Sequence, residues 1–166
     1  MREIKLTGKH FTGKFILVDD EDYDFLNQWK WYGLKCGDNV YARRHTTLGC
    51  SALIKRIFMH HAIIGNPPKG EVTDHVDGNS LNNQRSNLRF CTQSQNSQNR
   101  KKMVNTSSKY KGVSFNKNEN KWIAYIKYGV KRNYLGGFNT EIEAALCYNK
   151  AATKYFGKFA RLNIPE

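Results

Sequence analysis

One sixteen-residue segment constrains this chain more than any other: Asp74-His75-Val76-Asp77-Gly78-Asn79-Ser80-Leu81-Asn82-Asn83-Gln84-Arg85-Ser86-Asn87-Leu88-Arg89. Asparagine, aspartate and glycine favour turns, the first two by bonding their own backbone and the third by tolerating positive φ. Val72 to His75 fits a short strand, Asp77-Gly78-Asn79 is a turn signal, and Asn87 to Cys91 fits a second strand. Thr92 is then a good helix N-cap, with Gln95 as its capping-box partner, for a helix running through Asn96 toward Asn99. The expected unit is strand, turn, strand, helix, with polar groups at the strand ends and on the helix.

Those residue types suit phosphodiester hydrolysis, which needs an activated water and charge stabilisation at phosphorus and the leaving oxygen. A neutral histidine is the natural general base near neutral pH. A carboxylate and an amide oxygen are hard donors suited to Mg²⁺ or Mn²⁺. Strand neighbours point to opposite faces, so Asp74 and His75 can share a site only where the strand ends or twists, as the turn at Asp77-Gly78 allows. Asn96 can approach Asp74 from the helix. Asn87 can accept the second imidazole N–H of His75 and so fix its tautomer. His60 and His61 are read as non-catalytic, one packing under the site and the other facing solvent. Asp77, Gly78, Asn79, Asn82 and Asn83 are read as shaping the turn.

Charge points to the partner. The chain carries 27 Lys and Arg against 14 Asp and Glu, a net +13. Residues 1–106 hold 16 basic and 10 acidic side chains, and residues 107–166 hold 11 and 4, so both halves favour a polyanion such as nucleic acid. At 166 residues the chain has room for one ordinary domain or two small ones. No apolar run approaches the roughly 20 residues needed to span a bilayer, so no membrane partner is expected. Cys36, Cys50, Cys91 and Cys147 form no C-x-x-C pair and read as reduced packing cysteines of a cytoplasmic protein.

Residues 1–58 read as a small α/β lead-in. Lys14 to Val18 is a strand candidate, Tyr23 to Trp29 a helix candidate behind Asp19 and Asp20, and Asn39 to Arg44 and Leu53 to Phe58 are further strands. Arg43, Arg44, Lys55 and Arg56 either reach a phosphate backbone or form solvated strand faces. Residues 101–109 read as a basic linker whose Lys101 and Lys102 track DNA. Beyond it, Tyr110 to Phe115, Lys121 to Lys127 and Lys131 to Gly136 read as three strands. Thr140 and Glu143 make a capping box for a helix through about Phe156, stopped by Gly157, with Ala145, Tyr148, Ala152 and Tyr155 on one stripe. On the middle strand Trp122, Ala124 and Ile126 share one face, and Lys121, Ile123, Tyr125 and Lys127 the other. A sheet backed by one helix leaves a free face that can enter a major groove.

Two resemblances sharpen this reading. The pattern D-H-x-D-G-N-x-x-N-N-x-x-x-N-L-R, with Met59-His60 and Ile63-Ile64-Gly65 before it, resembles the HNH, or ββα-metal, endonucleases of phage and homing type. That resemblance implies His75 as general base, Asn87 as its orienter, and Asp74 with Asn96 as ligands of Mg²⁺ or Mn²⁺, in a nuclease core over 59–100. Arg85 and Arg89 are candidate phosphate contacts. Tyr110-Lys-Gly-Val, Lys121-Trp122, Tyr134-Leu-Gly-Gly-Phe-Asn-Thr140, Glu143-Ala-Ala and Ala160-Arg-Leu-Asn163 resemble the plant ethylene-response-factor (APETALA-type) DNA-binding domain. By position this implies Lys111, Trp122, Lys127, Arg132 and Tyr134 on a DNA face, with Trp122 equally readable as core. Lys111 stands where that family has Arg, and Lys cannot reproduce the bidentate guanine contact of Arg.

The expected whole is an α+β protein: a ββα-metal core with its α/β lead-in, then residues 110–166 as a three-stranded antiparallel sheet on one helix. Its expected activity is metal-dependent nicking of double-stranded DNA, as a monomer or DNA-induced dimer, with no small-molecule cofactor. The rival reading is a non-catalytic, sequence-specific DNA-binding protein with a vestigial HNH segment.

Overall fold

The computed structural model describes residues 1–47, 54–102 and 106–165. Cys50, Leu53 and linker residues 103–105 lie outside the described residues. The chain is a mixed α+β fold that divides into two compact units, Met1–Gln93 and Ser94–Glu166.

The first unit is built on a five-stranded sheet. Strands β1 (Arg2–Thr7), β2 (Phe15–Val18), β3 (Trp31–Cys36), β4 (Asn39–Thr47) and β5 (Ile54–Phe58) lie in the order β2-β1-β3-β4-β5. Only β1 and β3 run parallel; the other neighbours are antiparallel. Helix α1 (Asp20–Leu26) starts earlier than the expected Tyr23. Its first turn holds Asp20, Glu21 and Asp22, and carboxylates there are favoured by the helix dipole. The expected extension to Trp29 fails because the chain turns at Leu26, whose carbonyl accepts from both the Trp29 N–H and the Trp31 indole. Strands β1 and β3 are additions to the expected set. Gly33 and Lys35 break the apolar alternation of β3, which its position between β1 and β4 overrides.

Helix α2 (Met59–Ile64) leads to the hairpin β6 (Glu71–His75) and β7 (Leu88–Thr92), and helix α3 (Gln93–Asn99) follows directly after Thr92. Ile4, Leu6, Ile16, Val18, Leu26, Trp31, Val40 and Ala42 share one core with Met59 and Ile63 of α2 and Leu88 of β7. Each of the Ile, Leu, Val and Met side chains among them contributes about 1.5–3 kcal/mol on burial. The lead-in is therefore the packing partner of the hairpin.

The second unit holds strands β8 (Val113–Asn116), β9 (Lys121–Tyr128) and β10 (Lys131–Phe138) in the antiparallel order β10-β9-β8, with helix α4 (Glu141–Phe156) against one face. Both halves of the Thr140–Glu143 capping box are present, and Gly157 ends the helix with φ 51°. The buried stripe is Ala144, Ala145, Tyr148, Ala152 and Phe156; Tyr155, expected on it, is exposed. Phe156 falls four residues after Ala152, one full turn along the stripe, and displaces its neighbour. Gly112 permits the closest approach: it has φ +77°, and a Cβ there would lie 2.2 Å from the Tyr148 ring. No helix among the described residues is long and apolar enough to cross a membrane.

Candidate nuclease site

The loop between β6 and β7 is closed by its own polar side chains. Asp77 Oδ1 accepts from the Asn79 N–H at 2.7 Å and from Asn87 Nδ2 at 2.9 Å, while Asp77 Oδ2 accepts from Asn82 Nδ2 at 2.8 Å. Burial pushes the Asp77 carboxyl up, but the bonds from Asn79, Asn82 and Asn87 outweigh it and lower the group overall. The loop is also fastened to the lead-in. Ser80 Oγ donates to Val40 O at 2.8 Å, the Asn83 N–H donates to Leu17 O at 2.8 Å, and Arg85 donates to both carboxylate oxygens of Asp22. Asp19 accepts from Gln84 Nε2 and the Arg85 N–H, and the Gln84 bond first holds its carboxyl below the ordinary value.

His75 ends β6 and is buried among Asn83, Tyr41 and His60. Its Nε2 lies 3.5 Å from Asn83 Oδ1, and Asn83 is 1% exposed. The Tyr41 and His60 rings stand 6.1 and 5.5 Å from it, centroid to centroid. Burial lowers the His75 pKa against the opposing pull of Asn83, Asp77 and Asp74. The imidazole is therefore neutral at pH 7, the form that can accept a proton. Burial, with the His61 and His75 rings, pushes His60 down to about 3. His60 is the histidine packed under the site; His61 is partly exposed. Asp74 is buried, and its register partner Arg89 donates to its Oδ2 from Nε at 2.9 Å and Nη2 at 2.7 Å.

In the second unit the register puts Lys127, Arg132, Tyr125 and Tyr134 on the sheet face away from α4. The Arg132 guanidinium lies 3.9 Å from the Tyr125 ring centroid, and Tyr134 is exposed. Lys111 Nζ donates to Gln98 O and Arg100 O at the end of α3, where a cation satisfies the last helix carbonyls. Burial and the charge of Arg161 push Lys111 down to about 8, which still leaves it an ammonium at pH 7. Asn163 bridges Lys111 and Asn149 through paired backbone and side-chain bonds.

A sequence profile described as HNH endonuclease matches residues 59–98. An uncharacterized HNH endonuclease of Acanthamoeba polyphaga mimivirus is 36% identical over 152 residues, covering 91% of this chain and 75% of that protein. The chain belongs to the HNH endonuclease family. The C-terminal part of this HNH chain is similar to plant proteins. Dehydration-responsive element-binding protein 2D of Arabidopsis thaliana is 45% identical over 64 residues, which are 37% of this chain and 31% of that protein. An AP2-like ethylene-responsive transcription factor of the same plant is 42% identical over 57 residues, 34% of this chain and 12% of its own length.

Several expected residues of the HNH segment are held differently from their expectation. Asn87 Oδ1 accepts from the Asp77 N–H at 2.9 Å, and its amide nitrogen bonds Asp77 and Asn82 O. Asn87 thus clamps the loop, and Asn83, expected only to shape the turn, faces the imidazole. Arg89 is engaged by Asp74, and Arg85 by Asp22 and Glu21, so both are tied to internal carboxylates rather than presented as free phosphate contacts. Lys111 is half-buried at the end of α3. Trp122 packs with Phe115, 5.0 Å between centroids, against the α4 cluster and lies on the helix side of the sheet. Lys101 is exposed and Lys102 partly so. Asn96 is a residue of α3 in the second unit.

The donors fit a hard divalent ion in kind. Among the described residues no three His, Cys, Asp or Glu gather for a metal. Mg²⁺ asks for less: one or two carboxylates, with waters and substrate phosphate completing its shell. Asp74, buried and oriented by Arg89, is such a carboxylate.

Proposed function

We propose that this chain is a metal-dependent DNA endonuclease of the ββα-metal type, with its nuclease core over residues 59–100 and a DNA-docking module over residues 110–166. The observation that carries the reading is His75: a buried imidazole, kept neutral, beside a carboxylate fixed by Arg89. In this reading His75 takes a proton from the attacking water. Asn83 holds the imidazole, and Asn87 acts through the loop clamp as a positioning residue. Asp74 and Asn96 supply oxygen ligands to Mg²⁺ or Mn²⁺. When bound, such an ion stabilises charge on the scissile phosphate and the leaving oxygen. Arg89 keeps the Asp74 side chain oriented. Lys127, Arg132 and Tyr134 form the DNA-facing patch, with Lys101 and Lys102 near the backbone. Duplex DNA is the proposed substrate, nicked one strand at a time, since each chain holds one such histidine.

The test is relaxation of supercoiled plasmid with Mg²⁺ or Mn²⁺, by wild type and by His75→Ala, Asp74→Ala and Asn96→Ala. Nicking by wild type alone, with DNA affinity kept in all four, is expected. Wild type that binds DNA but does not nick it with either ion, over a range of salt, supports the non-catalytic reading.

A further inference from the structure

The junction of β3 and β4 carries a basic aromatic cleft that hydrolysis does not use. It has a volume of about 360 Å³ and is lined by Trp29, Lys30, Tyr32, Arg44 and His45. The Arg44 guanidinium lies 4.1 Å from the Trp29 ring centroid and 6.0 Å from that of Trp31. Its Nε is buried without a hydrogen-bond partner among the described residues. Tyr32 and His45 stack beside it, 6.3 Å between centroids. Neither Lys30 nor Arg44 takes part in an ion pair among the described residues.

A guanidinium stacked on an indole is already ordered, so binding an anion costs it little further freedom. With a lysine beside it and no carboxylate paired to it among the described residues, this fork suits phosphate oxygens. Tyr41, whose ring stands 6.1 Å from that of His75, is on the same strand as the cleft. His45 follows on the Tyr41 face, and Arg44 lies on the opposite face, over Trp29 and Trp31.

We infer that this cleft binds a backbone phosphate of the DNA through Arg44 and Lys30. The inference rests on the nuclease reading for its substrate. It is tested in the full-length His75→Ala chain, with EDTA, on a fluorescent duplex, so that cleavage plays no part. Arg44→Gln and Lys30→Gln are added singly, and each fold is checked by circular dichroism and thermal unfolding. Each is expected to weaken binding about 5- to 20-fold near physiological salt and to flatten log Kd against log[salt] by about 0.9 per lost contact. Lys30→Gln, at the cleft rim, decides the matter if Arg44→Gln does not fold. Folded variants with the parent's salt slope overturn the cleft but leave the nuclease reading standing. A parent that binds no DNA at any salt overturns both.

Discussion

Beside the β6–β7 hairpin of the first unit, Arg85 is bound to Asp22 and Arg89 to Asp74, whereas on the open sheet of the second unit Lys127 and Arg132 meet no carboxylate among the described residues. The same residue types are used for opposite ends. Around His75 the cations fix acidic groups and hold a polar loop in one shape. On the sheet they stay available to an outside anion. The units also differ in what resists them: the first buries histidines and polar side chains, while the second depends on close backbone packing at Gly112. Cation count alone therefore says little about DNA contact; the presence of an internal carboxylate separates the two uses.

The sharpest way to break this contrast is to remove His75. His75→Ala is expected to lower the nicking rate by about 10²- to 10⁴-fold, the usual range for a general base. Fluorescence anisotropy should show unchanged DNA affinity, and a large affinity loss would count against the division of labour. Gly112→Ala comes next. It meets both the Tyr148 ring and positive φ, and should destabilise the second unit by about 2–3 kcal/mol in denaturant melts. If nicking survives under conditions where the β8–β10 sheet has melted, the nuclease reading gains independence from that sheet.

Acid should act on the first unit, which holds all five histidines of the chain. His60 is depressed to about 3, so between its ordinary value near 6.5 and about 3 the unfolded chain binds a proton that the folded chain refuses. Its contribution is complete above pH 6.5 and is lost as pH falls, by roughly 2 kcal/mol at pH 5. Urea melts of wild type and His60→Phe should show a flatter acid limb in the variant; parallel limbs would reassign the loss. Because His75 is also depressed, the acid limb of nicking should lie below pH 6.5. The smallest effect belongs to the sheet. Lys127→Ala with Arg132→Ala should cut affinity about tenfold and lower the salt slope by about 1.8 if each meets one phosphate. An unchanged slope would remove the docking role from that face.

Much of this was legible in order and type. The segment from Val72 to Asn99 announced strand, turn, strand and helix because Asp77-Gly78-Asn79 and Thr92 are local signals whose meaning needs no distant partner. The strands of the second unit and its capping box were legible for the same reason. Strand β3 was not, since its place between β1 and β4 comes from sheet pairing. Nor were the partners of the arginines. Asp74 and Arg89 are fifteen residues apart and meet only because the hairpin register sets them opposite. Asp22 and Arg85 are sixty-three residues apart.

By itself the sequence determined which residues could do chemistry, where the chain turns, and that both halves carry net positive charge; these follow from side-chain type, short-range periodicity and composition. Tertiary structure alone decided which of those groups are already engaged. It gave Asn83 rather than Asn87 to His75, set Lys111 on the carbonyls of α3, turned Trp122 toward α4, and left Arg44 on an indole with no carboxylate partner among the described residues. Hydrogen bonds and ion pairs act over a few ångströms, and only the folded chain brings residues so far apart in sequence within that reach.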